Sequence, residues 1–467
     1  MKVHFVSLGC PKNLVDSQVM LGKLSDGRHE LTDDAESAEA IVINTCSFIE
    51  ASKRESIDTI MELAEKKKSG ACRSLVVTGC LAQRYHKQLE AEMPEVDAFL
   101  GTGEYHRITD VLDEVERSRG KPLPKRSWVS QPAFIHTERD TRVLTGPAHR
   151  AFLKISEGCN RRCAFCIIPK LRGNVRSRTV VSLIEEATTL ASRGVRELNL
   201  VAQDLTHYGI ETRYKESLED LLPALAKIDG IDWIRLHYVY PDDFSDELVE
   251  IVAREPKIVK YLDMPIQHTA DRVLKTMNRR LTREKLFSLV ERLRARIPEI
   301  VFRTSIIVGF PGETEAEFEQ LCADLKALNL DHVGVFEYSK EEDTRAAELD
   351  GQLPVAVKKR RSRRLIEILQ EQANQGRQAR LGKEDVVMIE GPSDESPHLI
   401  EARLATQAEG IDGRVLINDF DIENIQELAP GDFVRVEITE VMGPDFLARA
   451  LAMKSLSRTR AQTVFVS

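Results

Sequence analysis

Three closely spaced cysteines are the strongest chemical signal in this chain. The run Ser156-Glu157-Gly158-Cys159-Asn160-Arg161-Arg162-Cys163-Ala164-Phe165-Cys166 separates its thiols by three and then two residues, directly after an apolar strand pattern. A count of three rather than four is informative, because a cubane cluster has four irons and three protein ligands leave one iron open to a cofactor. Zinc is the alternative. A structural zinc site wants four closed ligands, and no nearby His or Cys supplies a second pair.

A second set is scattered. Ser7-Leu8-Gly9-Cys10, Asn44-Thr45-Cys46 and Thr78-Gly79-Cys80 each end a short apolar run. The runs 3–7, 40–44 and 74–78 read as strands separated by helical patterns, which predicts an α/β domain with a parallel sheet. Ligands of such sheets gather at the carboxyl ends of strands, so cysteines far apart in sequence can converge there. Any one of them could be a buried structural thiol, but three in equivalent places favour a site. Cys72 and Cys322 fit no such pattern and read as structural.

The elements that must position these residues divide the chain. Its 467 residues exceed one ordinary core, so several domains are expected. Residues 1–117 form the first α/β domain. Residues 118–149, with Gly120-Lys121-Pro122-Leu123-Pro124-Lys125-Arg126, read as a linker. Residues 150–356 carry strand patterns at 151–155, 197–201, 233–236, 261–264, 301–308 and 332–336, which predict an open or partial, TIM-like β/α barrel. Its strand ends carry Cys159, Gln203, His237, Gln267 with His268, Gly309 and Tyr338. His268 could line a pocket or be structural, and no proton-transfer role is assigned to it. Residues 357–382 form a basic bridging helix, and 383–467 shows short strands with turn signals, a small β-barrel. No apolar run approaches the roughly 20 residues of a membrane span, and the first residues read as a strand rather than a signal peptide. The expectation is a soluble, cytoplasmic protein with no membrane partner, whose eight cysteines serve metal or redox chemistry rather than disulfides.

On these residues the chain resembles the radical S-adenosylmethionine superfamily, whose three-cysteine spacing carries an aromatic residue before the last cysteine, here Phe165. The resemblance implies that S-adenosylmethionine chelates the open iron and is cleaved by one electron to a 5′-deoxyadenosyl radical. Ile307-Val308-Gly309-Phe310-Pro311-Gly312-Glu313-Thr314 is similar to the superfamily's later cofactor-pocket motif, which would make Gly309 and Gly312, with Phe165, cofactor-binding. The segment reads equally as a strand-to-helix turn capped by Thr314. Taken with Cys10, Cys46 and Cys80, the domain order resembles the methylthiotransferase family along essentially the whole chain. That implies a second four-iron cluster on those three cysteines, bearing the sulfur that is inserted, and a substrate-binding C-terminal barrel called a TRAM domain. It also implies two copies of S-adenosylmethionine per product, and unnamed sulfur-donor and reductant proteins. The hydrogen leaves an unactivated carbon as an atom, so no general base is required and no catalytic side chain is assigned.

Two types within the family modify different macromolecules: an adenosine of transfer RNA, or an aspartate of small-subunit ribosomal protein S-twelve, met free or inside the subunit. Cys10-Pro11-Lys12-Asn13 resembles the ribosomal-protein type, since the transfer-RNA type usually has Gln-Met-Asn after its first cysteine. Pro265-Ile266-Gln267-His268 and Val96-Asp97-Ala98-Phe99-Leu100-Gly101-Thr102-Gly103 point the same way. Glu341-Glu342-Asp343-Thr344 departs from a usual glycine at its third place. The charge count is independent of the resemblance. Of the chain's net charge of −9, nearly all lies in residues 383–467, where eight Lys and Arg face sixteen Asp and Glu. An RNA-gripping barrel needs positive charge, whereas an acidic barrel suits a basic protein or simply a soluble surface. The basic run Lys358-Lys359-Arg360-Arg361-Ser362-Arg363-Arg364 is read as either a solvated face or a contact to ribosomal RNA.

Overall fold

The structure, a computed structural model, describes all residues except 70, 119–120, 122, 421–427 and 456–467. Strands β1 (Lys2–Ser7), β2 (Glu30–Leu31), β3 (Ala40–Thr45), β4 (Ser74–Gly79), β5 (Ala98–Leu100) and β6 (Ser127–Trp128) form one sheet in the order β2-β1-β3-β4-β5-β6. Every pairing in it is parallel. β3 and β4 are buried along their full length, as expected of near-continuous apolar strands with both faces covered. Alternation sorts their side chains into two cores: Val42 and Val76 pack with Val3 and Leu100 on one face, Ile41, Ile43, Leu75 and Val77 with Phe99 on the other. The strand order reverses between β1 and β3, which is where open α/β sheets bind ligands.

Of the segment 118–149, expected as a linker, residues 123–149 are part of the fold. They supply β6, and His136 and Arg142 are buried within them. Arg142 donates to Gln18 of the first domain (2.9 Å) and to Glu186 of the second (2.7 Å). A strand of two residues leaves no periodic signal, and its neighbouring prolines read as a loop.

The second sheet contains β7 (Arg150–Lys154), β10 (Glu197–Val201), β11 (Trp233–Leu236), β12 (Ile258–Asp263), β13 (Val301–Val308) and β14 (His332–Glu337). All are parallel, in the order β14-β13-β12-β11-β10-β7, an open partial barrel. Between β7 and β10, the short strands β8 (Ser156–Glu157) and β9 (Arg176–Ser177) pair antiparallel. They clamp the base of the loop that carries Cys159, Cys163 and Cys166.

The last unit is a closed barrel of β15 (Glu384–Ser393), β16 (Ser396–Leu404), β17 (Val415–Phe420), β18 (Phe433–Met442) and β19 (Asp445–Ser455) in the order β15-β16-β17-β19-β18. It docks on the amino ends of the second sheet. Arg403 pairs with Glu197, the first residue of β10, and with Glu390 (3.0 Å). Arg303 donates to Asp412 (2.9 Å), Tyr261 donates to the same carboxylate (2.6 Å), and Trp233 meets Phe433 edge-on at 5.1 Å between centroids.

The basic run lies on a helix, Val355–Gln378, and part of it is matched by acids of this chain while Lys359 and Arg363 stay exposed. Arg361 donates to the buried carboxylate of Glu313 (2.9 Å) and to Glu315 (2.9 Å), Arg360 also reaches Glu315, and Arg364 pairs with Glu319. These acids open the helix Glu315–Leu328, whose N-cap Thr314 forms a capping box with Glu317. Residues 309–314 thus make the strand-to-helix turn, with Thr314 as its cap. Among the described residues no helix is long and apolar enough to cross a membrane.

Candidate functional site

Cys10, Cys46 and Cys80 follow β1, β3 and β4, three strands adjacent in the sheet. Glycine permits their approach. Gly9 has φ +90°, and a Cβ there would stand 2.7 Å from that of Cys46. Gly79, at φ +95°, leaves room for the Asn44 amide, to which a Cβ would come within 2.3 Å. Asn44 in turn donates to the Asn13 carbonyl (3.0 Å) and to Ser17 (2.9 Å), tying β3 to the helix Pro11–Asp26 that Cys10 caps. The Cys80 thiol senses both Cys46 and Cys10, and burial pushes it up to about 12 despite Arg172 beside it.

The second triplet is held as tightly. The Cys159 amide donates to the Gly173 carbonyl (3.0 Å), and Gly158, at φ +84°, lies so close to Asn174 that a Cβ would meet its carbonyl oxygen at 2.1 Å. Burial raises the thiols of Cys159 to about 11 and Cys166 to about 12, and the three cysteines are one another's electrostatic neighbours. Arg279 lies 4.0 Å from Cys163 and stacks on Tyr240 (4.2 Å to the ring centroid), whose ring also carries Arg161 (3.8 Å). Phe165 packs into an apolar cluster with Ala164, Met277, Phe310 and Tyr338.

The donor sets fit iron–sulfur cubanes. Each offers three thiols that no fourth ligand joins among the described residues, and the buried thiols would surrender their protons to the metal. Among the described residues no three His, Cys, Asp or Glu close on a single point as ligands of one ion would. Thiols that bind different irons of a cubane need not do so.

The segments that carry the two triplets share one contact. Cys80 packs against Ile167 and Leu171, which follow Cys166 in the chain. Beneath this contact lies a buried charge network that the sequence did not reveal. Lys154 pairs with Asp16 and Glu157 (2.9 Å to Glu157), and Arg172 pairs with Asp16 (2.6 Å) and Glu157 (2.9 Å) and donates to Asn13 (2.9 Å). Its members stand on the helix after Cys10 and on the strand and loop around Cys159, so it joins the two sites. A lone Lys or Asp in an amphipathic pattern reads as solvated, and only their convergence marks them.

The other strand ends are ordered by bonds of their own. Gln203 donates to Glu157 (2.5 Å), and a ring nitrogen of His237 bonds Asn199 (3.0 Å). His268 is fully buried, accepts from the Ala270 amide (2.9 Å) and is held by burial at about 4. It is neutral at ordinary pH, in keeping with a structural residue. Gly309 has φ +74°, and the atom a Cβ would strike there, at 2.5 Å, belongs to Lys358 of the C-terminal helix. The glycine thus admits this chain's own helix, while its amide and that of Phe310 donate to Glu313. Gly312, at φ +77°, faces Gly351. Cys72 and Cys322 are buried in the apolar cores. Asp343, at the place where the resemblance implies a glycine, has φ +64°, the left-handed conformation that favours glycine. Its neighbour Glu341 ties that loop to the first domain through Lys53 (3.1 Å) and Arg84 (3.2 Å).

Comparisons with known proteins agree with this architecture. Residues 2–101 match the model of Uncharacterized protein family UPF0004, 153–325 the Radical SAM superfamily and 381–451 the TRAM domain. The protein named Ribosomal protein uS12 methylthiotransferase RimO from Anaeromyxobacter sp. (strain K) is 49% identical over 97% of this chain and 93% of its own length. Proteins of the same name from Geobacter sulfurreducens (46%, over 97% and 99%) and Myxococcus xanthus (48%, over 96% and 91%) are also similar. Among solved structures, the radical S-adenosylmethionine methyltransferase TsrM from Kitasatospora setae shares the fold, with a TM-score of 0.53, 14% identity and 72% of each chain covered. Identity at this level along nearly the whole length, with all three domain types in order, shows that the chain belongs to the ribosomal protein uS12 methylthiotransferase family of radical S-adenosylmethionine enzymes.

Proposed function

We propose that the chain inserts a methylthio group at the β-carbon of an aspartate of ribosomal protein uS12 (S-twelve). The observation that best supports this is the packing of Cys80 against Ile167 and Leu171, the residues that follow Cys166, in a chain whose near-full-length relatives carry that name. Cys10, Cys46 and Cys80 would hold one four-iron cluster and Cys159, Cys163 and Cys166 the other, with Phe165, Gly309 and Gly312 on the S-adenosylmethionine side. When bound, these groups supply the sulfur and the one-electron cleavage of S-adenosylmethionine. The chain's own residues hold the two sites in register: the network of Asp16, Lys154, Glu157 and Arg172 fixes the loops of both triplets, and Arg161 and Arg279 brace the second against Tyr240.

The barrel's acidic excess recruits the basic ribosomal protein. Sulfur-donor and reductant proteins complete the system in the cytoplasm. The test is anaerobic reconstitution followed by incubation with uS12 and S-adenosylmethionine. A mass gain of one methylthio group on the aspartate supports the reading, whereas methylthiolated adenosine in transfer RNA with unmodified uS12 sinks it.

A further inference from the structure

Lys12 stands two residues after Cys10 in the first turn of the helix Pro11–Asp26, and only 8% of it is exposed. Its ammonium sits 3.5 Å from the centroid of the Tyr238 ring. Buried cations ordinarily come with an anion, because an unpaired buried charge is costly. The neighbouring cations obey that rule: Lys154 and Arg172 share Asp16 and Glu157, and Arg142 has Glu186. Lys12 does not. Among the described residues no carboxylate pairs with it, and its electrostatic neighbours are Tyr238, the Cys10 thiol and the cation of Arg172.

Tyr238 is itself unusual. It follows β11 at the carboxyl ends of the second sheet, the rim that also carries Cys159, and its φ of +62° is a left-handed conformation that a bulky aromatic residue rarely adopts. Strain of this kind persists where the surroundings over-determine it, and it clusters at ligand clamps. Here it keeps the ring against Lys12, so an ammonium with no carboxylate partner among the described residues is fixed where the first domain's cysteine turn meets the second domain's rim.

We propose that Lys12 is a specificity-determining residue whose ammonium, braced on Tyr238, binds the side-chain carboxylate of the residue to be modified. The inference rests on the uS12 reading, in which the substrate residue is an aspartate. The carboxylate of S-adenosylmethionine offers the same chemistry from a second source, and a cysteine-bound cluster could use the lysine merely as a counter-ion. The experiment separates all three.

Anaerobically reconstituted enzyme and its Lys12→Gln and Lys12→Arg variants are compared for binding of uS12, of uS12 with the target aspartate changed to asparagine, and of S-adenosylmethionine, with iron counted for each. The expected result is that Lys12→Gln weakens binding of uS12 by about 10- to 100-fold, the size of a hydrogen bond to a charged group. The asparagine form should bind wild type and Lys12→Gln alike, and Lys12→Arg should recover most of the preference for aspartate. Equal losses on both forms of uS12, or none, overturn the proposal. A loss confined to S-adenosylmethionine affinity reassigns the ammonium to the cofactor, and lost iron makes it a counter-ion; either result also overturns it. If wild-type enzyme neither binds nor modifies uS12, the functional reading fails and this inference with it. If wild type modifies uS12 but Lys12→Gln does not discriminate its two forms, only the inference fails.

Discussion

At the scale of single residues, the thiols carry the chemistry and the charges around them carry the geometry. Replacing Cys159, Cys163 and Cys166 together by Ala should remove about half the iron, since each triplet would hold one of two similar clusters, and should abolish cleavage of S-adenosylmethionine. Replacing Cys10, Cys46 and Cys80 should remove the other half and leave cleavage intact while ending sulfur insertion. Iron analysis and product chromatography read both, and a triplet whose loss strips all the iron would contradict two independent sites. The cation beneath them is equally testable. Lys154 is wholly buried between Asp16 and Glu157, so Lys154→Met strips a buried carboxylate pair of one of its two cations. The expected destabilisation is about 3 to 5 kcal/mol, read as a lower urea midpoint.

Among the elements, the helix Val355–Gln378 shows how one charge run divides into parts with different duties. Arg361 meets a carboxylate that accepts from the Gly309 and Phe310 amides, and burial lifts the Glu313 carboxyl above its ordinary range despite that cation. Arg361→Met should therefore cost about 3 to 5 kcal/mol and loosen the turn at Gly309 in hydrogen exchange. Lys359 and Arg363 are exposed and make no ion pair among the described residues, so Lys359→Ala and Arg363→Ala should stay within about 0.5 kcal/mol of wild type. Equal losses at all three positions would argue that the run acts through total charge rather than through this single buried pair.

For the whole molecule, charge both holds the domains together and sets where a partner can sit. Burial holds His136 and His268 at about 4, below the roughly 6.5 of an unfolded histidine. Their folded state prefers the neutral ring, so the stability they contribute is complete above about pH 6.5 and falls as pH drops towards 4. At the barrel seam, burial raises Glu197 and Glu390, but Arg403 with Arg235, and His149 with Arg403, outweigh it and hold both at about 2. Their contribution is present above about 4.3 and lost only as pH falls towards 2. Hydrogen exchange corrected for intrinsic rates should therefore open the segments around His136 and His268 at milder acidity than the barrel seam.

The seam also revises the charge argument for a basic partner. Glu390, Glu409 and Asp412 are spent on Arg150, Arg403 and Arg303 within the chain. Asp394 and Glu440 are exposed without an ion partner among the described residues, Asp419 is exposed but paired with Arg449, and Asp421, Glu423 and Glu427 lie outside the described residues. Because the barrel docks at the amino ends of strands whose carboxyl ends carry the cysteine loop, a five-residue strand of about 17 Å separates them. A partner must span that length. Asp394→Lys with Glu440→Lys should accordingly raise KM for uS12 more than it lowers kcat, and added salt should shrink the difference.

The sequence by itself determined the three domain types and their order and marked six thiols as candidate ligands, because strand and helix periods, turn residues and ligand spacing are local properties written within a few residues of each other. The long strands at 197–201, 233–236 and 301–308 match their predicted spans residue for residue, while β2, β5, β6, β8 and β9, each of two or three residues, were too short to carry a period. The tertiary structure decided everything that depends on distant residues sharing one place. It turned residues 123–149 from a linker into a strand and a buried bracket, matched part of the basic helix to the acids before it, and assigned part of the barrel's acidity to its own docking. It also left one buried lysine beside Cys10 with no carboxylate partner among the described residues. Whether a charged side chain is solvated, paired or waiting for a ligand depends on what surrounds it in space, and one residue's identity carries no record of that.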